Sequence, residues 1–265
     1  MKVEPVVDER ALVVENTEKT LVIADIHIGI ECELMELGIR IPSQLPSILD
    51  RVKRILRGKE VDRIVIVGDV KHSITHPPYH ERKDVEHFLR ELVNYAPVDI
   101  ALGNHDGGLA NMIPEDIRDS VSIHPSSGFV HDSVGYFHGH AWMDKSLLES
   151  ELLVCGHNHP HVSFVDSLGC TITLPCWIRT LVDVKDLQEY SDLCSEIPLI
   201  VAPAFCTLSK GISFNDPETK PLGPIFSVVN LDDAKCYLLD GTYLGTIKEL
   251  KKFSKPENLM SREEQ

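Results

Sequence analysis

Six short apolar runs of strand length punctuate the chain, at residues 20–24, 63–67, 98–102, 134–137, 152–155 and 197–202, most of them bounded by Gly, Asn or Asp. Runs of this length between turn-forming residues predict β-strands. In the intervals the apolar period changes. Ile48, Leu49, Val52, Ile55 and Leu56 fall on one face of a helix, and Val85, Phe88, Leu89, Leu92 and Val93 do the same further on. Strand, helix, strand, helix, strand in the first half predicts an α/β sheet core. The second half, over 163–174 and 235–247, reads as shorter β pieces with few helices, which add sheet to the same unit. No internal repeat, low-complexity tract or Gly/Ser linker divides the chain. Residues 1–250 are therefore expected to form one domain, and 251–265, which lack apolar periodicity, a loose tail.

Composition narrows the class without naming a chemistry. With 265 residues, 43% hydrophobic and 25% charged, the chain fits a globular domain with a sizeable core. No run approaches the ~20 apolar residues of a membrane span. Residues 1–10 carry Glu4, Asp8 and Glu9 and lack the basic-then-apolar pattern of a secretory signal. The seven cysteines, at 32, 155, 170, 176, 194, 206 and 236, form no C-x-x-C pair and read as reduced core thiols. A cytoplasmic protein is expected. With 26 Lys+Arg against 41 Asp+Glu, the formal charge of −15 excludes a basic protein that coats nucleic acid. A nuclease with a local basic groove stays open.

The first five strands share a peculiarity: each runs into residues able to hold a metal. They end in Asp25-Ile26-His27, Gly68-Asp69, Gly103-Asn104-His105-Asp106, His138-Gly139-His140 and Gly156-His157-Asn158-His159. Ligands of α/β sheets bind at the carboxyl ends of strands, so the five clusters are expected to converge on one crevice. Carboxylate and amide oxygens mixed with imidazoles make a borderline-hard site that suits Mn²⁺, Fe²⁺ or Zn²⁺. One Asp between two cations can bridge them. Strand alternation is expected to point Asp25 and His27 the same way, and His157 and His159 likewise. The glycines before Asp69, Asn104 and His157 allow a sharp strand exit and close backbone approach.

The ordered blocks D-x-H, G-D, G-N-H-D, H-G-H and G-H-x-H between residues 25 and 159 resemble the signature of calcineurin-like metallophosphoesterases. Gly-His-Ala-Trp at 139–142, Gly-His-Asn-His-Pro at 156–160, Leu-Pro-Cys-Trp at 174–177 and Ala-Pro-Ala-Phe at 202–205 are similar to segments of its SbcD-related, ICC-like group. The resemblance implies an α/β four-layer sandwich, two mixed β-sheets flanked by helices. It implies two divalent metal ions, Mn²⁺ first, with Fe²⁺, Zn²⁺, Ni²⁺ or Co²⁺ as alternatives. Asp25, His27 and His159 would hold one, Asn104, His138 and His157 the other, and Asp69 would bridge. His105 would sit beside the phosphate as the catalytic group, oriented by Asp106. The implied reaction is in-line attack of a metal-bound hydroxide on a phosphoester.

Other residues have plainer readings beside the functional ones. His140 has three: substrate contact, a partner to His138, or solvent. His161 reads as a surface residue. Lys71-His72 would place positive charge near a phosphate, and the stretch 75–80, with Pro77-Pro78, reads as a turn ahead of a helix at 81–93. Trp142 and Trp177 read as buried structural aromatics rather than base-stacking platforms. On substrate, the acidic balance favours a small diester or nucleotide over the duplex tracking of an SbcD-like nuclease. A scaffold that has lost catalysis is the remaining alternative, and oligomeric state is left open.

Overall fold

In the computed structural model the described residues are 1–183 and 196–254, so Cys194 and positions 255–265 of the expected tail lie outside them. Six strands form the first sheet: β1 (Lys2–Pro5), β2 (Ala11–Glu15), β3 (Lys19–Ala24), β4 (Arg63–Val67), β5 (Val98–Ala101) and β6 (Val121–His124), side by side in that order. The first two junctions are antiparallel and β3 to β6 run parallel. The crossovers carry α1 (Ile30–Glu36) with α2 (Leu45–Gly58), and then α3 (Tyr79–Val93).

The second sheet contains β7 (Phe129–His131), β8 (Val134–Phe137), β9 (Leu152–Cys155), β10 (Pro160–Val165), β11 (Thr171–Asp183), β12 (Glu196–Val201) and β13 (Ile212–Ser213). Their order is β13-β10-β11-β12-β9-β8-β7, and β14 (Lys235–Leu238) joins β11 with β15 (Tyr243–Thr246) beside it. This sheet too is mixed, with β8, β9 and β12 parallel.

Alternation along each strand explains how the layers stack. Leu21 and Ile23 of β3, with Ile64 and Ile66 of β4, face the apolar stripes of α2 and α3. Val22, Ala24, Val65 and Val67 point the other way and meet Tyr136, Val154, Trp177 and Ile200 of the second sheet. Leu153, Cys155 and Leu199 face outward from that sheet onto Leu147, Ile225 and α4 (Ile247–Leu250). Strands covered on both faces read as unbroken apolar runs, which is why the sequence announced them. Among the described residues no helix is long and apolar enough to cross a membrane.

Several expectations change. The pieces read as separate short strands past residue 163 include one strand of thirteen residues, β11. Pro175 sits where β11 leaves β10 and takes up β14 and β12, so its missing N–H falls at the switch of partners. The helix expected at 81–93 begins two residues earlier, directly after Pro78. Of the cysteines described, Cys155, Cys176, Cys206 and Cys236 are buried, but Cys32 is half-buried and Cys170 exposed. Trp177 is a core residue as expected, whereas Trp142 is exposed. At the far end of the described residues, Phe253 packs onto the second sheet's outer core.

Candidate metal centre

The exits of β3, β4, β5, β8 and β9 meet along one edge where the two sheets face each other. The segment after β12 ties that edge together: Ala202 N–H donates to Cys155 O, Phe205 N–H to Ala24 O and Cys206 N–H to Asp25 O. Arg51 of α2 stacks on the Phe205 ring at 4.1 Å and donates to its carbonyl at 2.8 Å.

Backbone strain is concentrated at the same place. Asp25, His27, Asp69, His157 and His159 all adopt left-handed conformations, with φ between 44° and 69°. Each such non-glycine residue costs on the order of 1–3 kcal/mol and persists only where its surroundings hold it. Strand alternation therefore does not aim these side chains, because none of them is extended. The pair His157 and His159 diverges into two groups. The left-handed turns place Asp25, His27 and His159 in one set and Asp69, His138 and His157 in the other, and within each set the ligand atoms lie within 4.8 Å of one another.

Glycines make room for the approach. A methyl group on Gly68 would fall 2.1 Å from the His138 ring, one on Gly103 2.1 Å from Asp69 Oδ1, and one on Gly156 2.6 Å from Asp25 Oδ2.

Asp25 is fully buried. Its Oδ1 accepts from His138 Nε2–H at 2.9 Å and its Oδ2 from His157 N–H at 3.0 Å, and Nε2 of His159 stands 3.6 Å from Oδ1. Asp69 Oδ1 accepts from His105 N–H at 2.9 Å. The other oxygen, Oδ2, stands 3.4, 3.7 and 3.9 Å from Nε2 of His138, His27 and His105 respectively. Asp69 Oδ2 thus lies between His27 of one set and His138 of the other, and Asp25 Oδ1 likewise between His159 and His138.

Charge balance follows from this crowding. Burial opposes ionisation of both carboxyls, but His159 and His138 overcome it at Asp25, and His138 does so at Asp69, so both are held below the usual carboxylate range. Burial also opposes a charge on His138, yet hydrogen bonds and charge from Asp25 and Asp69 lift its pKa to about 10. His27 and His157 are pushed down to about 3 and about 4 by burial, His157 also by the charge on His138. A protonated imidazole between two carboxylates occupies the electrostatic place of a cation. Anionic oxygens with imidazole nitrogens in two adjoining sets fit a pair of divalent ions.

The remaining candidates are placed as follows. His105 donates from Nδ1–H to the His72 carbonyl, which leaves Nε2 turned toward Asp69. Asp106, expected to orient that ring, instead accepts from Gly103, Val70 and Lys71 N–H groups and clamps two strand exits together. Burial, and then the charge of Asp69, raise its pKa to about 6. His140 Nδ1 lies 2.8 Å from His138 Nδ1, and its pKa is lowered by burial and by His138. His140 therefore accepts the His138 proton on the side away from Asp25. Asn104 occupies the same exit as His105 and is exposed. His159 donates from Nδ1–H to the Lys210 carbonyl at 2.8 Å. His161, expected at the surface, is half-buried with Nδ1 against the His159 carbonyl.

Lys71 departs furthest from expectation. It is fully buried, and its ammonium donates to the Ser73, Ile74 and His105 carbonyls rather than facing a phosphate. Sequence reading also passed over Glu33, which pairs with His72 beside His27.

The sequence matches the calcineurin-like phosphoesterase family over residues 18–222. The chain belongs to that family. Its fold is also that of a solved structure. Nuclease MPE of Pseudomonas putida is 18% identical, with 90% of this chain and 98% of that one covered at a TM-score of 0.53. Yfce, a phosphoesterase from E. coli, is 16% identical, with 85% and 96% covered at a TM-score of 0.41. The family supports metal-dependent phosphoester hydrolysis, and the two facing mixed sheets are the architecture its five sequence blocks implied.

Proposed function

We propose that this phosphoesterase is a phosphodiesterase acting on a small diester or nucleotide. The observation that carries the reading is the pair of adjoining His/Asp sets, in contact through both Asp25 and Asp69, with the His105 ring at their edge. On this reading Asp25, His27 and His159 would hold one divalent ion, Asn104, His138 and His157 would hold the other, and Asp69 would be shared between them. The ions, Mn²⁺ by preference, would supply charge stabilisation at phosphorus and lower the pKa of water toward neutrality.

The chain's own groups do the positioning. His140 receives the Nδ1 proton of His138, and the Lys210 carbonyl receives that of His159, so both rings keep Nε2 for the site. The His72 carbonyl fixes His105 with Nε2 facing inward, where the protonated ring can stabilise the phosphoryl oxygens or give its Nε2 proton to the leaving oxygen. Asp106 holds the loop that carries His105, so it acts on the ring only through the backbone.

Overall acidity favours the small substrate, since tracking a duplex relies on many Lys and Arg contacts to phosphates. The Pseudomonas putida protein is described as a nuclease, which keeps nucleic-acid cleavage as the second reading. Hydrolysis of bis(p-nitrophenyl) phosphate with Mn²⁺, repeated under excess single-stranded DNA, separates them. Turnover indifferent to DNA is expected. Suppression by DNA would transfer the assignment to a nuclease, and absence of turnover with every divalent metal would leave a binding scaffold.

A further inference from the structure

Beyond the Asp25–His27–His159 set, His27 meets His72, which in turn pairs with Glu33; with His72 and His105 its ring also forms a third cluster whose ligand atoms lie within 4.8 Å of one another. Its Nδ1 lies 3.3 Å from Nδ1 of His72, and Nε2 of His72 pairs with the Glu33 carboxylate on α1. His72 is itself fixed through its backbone: its N–H donates to Ile28 O at 2.9 Å, and its carbonyl accepts from the His105 ring. The side chain of His72 is mostly buried, whereas that of Glu33 is exposed.

The direction of these bonds is determined by their ends. A carboxylate only accepts, so the contact with Glu33 places a proton on Nε2 of His72. In the neutral ring Nδ1 is then an acceptor, and the group that faces it is Nδ1 of His27, which therefore carries the proton. That leaves the lone pair of His27 on Nε2, which stands 3.3 Å from Nε2 of His159 and 3.7 Å from Asp69 Oδ2. We infer that Glu33 and His72 are positioning residues that hold His27 in the Nδ1–H tautomer and aim its Nε2 at the cation of the Asp25–His27–His159 set.

This inference rests on the metal-site reading above. Partners that receive the second N–H of a ligating histidine typically contribute 10–100-fold to metal affinity. Here that partner is a second imidazole, so its own orientation depends on an acid 39 positions away on a different element: Glu33 lies in α1, whereas His72 follows β4.

Calorimetric titration of the metal-stripped full chain with Mn²⁺ tests it, together with ring ¹⁵N NMR of the histidines. His72→Ala is expected to weaken the tighter-affected Mn²⁺ site about 10–100-fold with stoichiometry unchanged, and Glu33→Ala to weaken the same site about tenfold. His72→Asn, whose side-chain oxygen can accept where Nδ1 did, should recover most of the loss. The His27 ring should show one tautomer in the wild type and a mixture in His72→Ala. Because Glu33 is exposed, its variant keeps the test informative if His72→Ala fails to fold. Unchanged affinity and tautomer, with only KM raised, would overturn the inference in favour of direct phosphate contact. Loss of one Mn²⁺ equivalent in His72→Ala would make His72 a ligand and overturn it equally. A wild type that takes up no Mn²⁺ would instead remove the metal-site reading.

Discussion

Asp69→Asn is expected to lower kcat/KM for a phosphodiester by about 10²–10³-fold while the fold survives. The amide keeps an oxygen able to accept from His105 N–H, so the loop after β5 retains its anchor. The negative charge facing His27, His105 and His138 is lost, and with it the bridge between the two proposed cations. Metal-ion catalysis contributes several kcal/mol to transition-state stabilisation, and each 1.36 kcal/mol is tenfold in rate. Steady-state kinetics beside circular dichroism checks the expectation. A folded Asp69→Asn protein with wild-type turnover would mean that the reaction does not use this carboxylate.

The second large effect is on metal uptake. His138 must give up the proton on Nε2 before that nitrogen can meet a cation, and with its pKa near 10 the ring is charged across the ordinary pH range. Affinity at the site containing His138 should therefore tighten as pH rises, tenfold per unit and about 100-fold from pH 6 to pH 8. His27 and His157, at about 3 and about 4, are already neutral there and add no slope. The pKa of His159 is also raised, by Asp25 against the opposing effect of burial, so its site follows the same sign. Titration with Mn²⁺ at pH 6, 7 and 8, in buffers of different ionisation heat, measures both the affinity and the protons released. A flat affinity without proton release would contradict this electrostatic picture.

Most of the fold was readable because its strands are covered on both faces. Thr20–Ala24 and Arg63–Val67 stand out as apolar runs for the same reason that they sit between helices and a second sheet. The candidate ligands were readable because metal-binding residue types follow five such runs. How they are aimed was not. Left-handed turns at Asp25, His27, His157 and His159 replace the extended geometry that would have paired neighbours by alternation. Contacts between distant segments were equally hidden. Asp106 reaches Val70 rather than its neighbour His105, Lys71 turns inward onto carbonyls, and Glu33 meets a histidine 39 positions on. Local spacing carries no trace of such pairings, since they depend on which loops the sheet brings together.

The central claim, two cations held by these residues for phosphodiester hydrolysis, is tested most directly by adding Mn²⁺ back to metal-stripped protein while following bis(p-nitrophenyl) phosphate. The account predicts no turnover before addition and a rise that saturates at two equivalents per chain. Saturation at one equivalent, or no turnover with Mn²⁺, Fe²⁺, Zn²⁺, Ni²⁺ or Co²⁺, would contradict it.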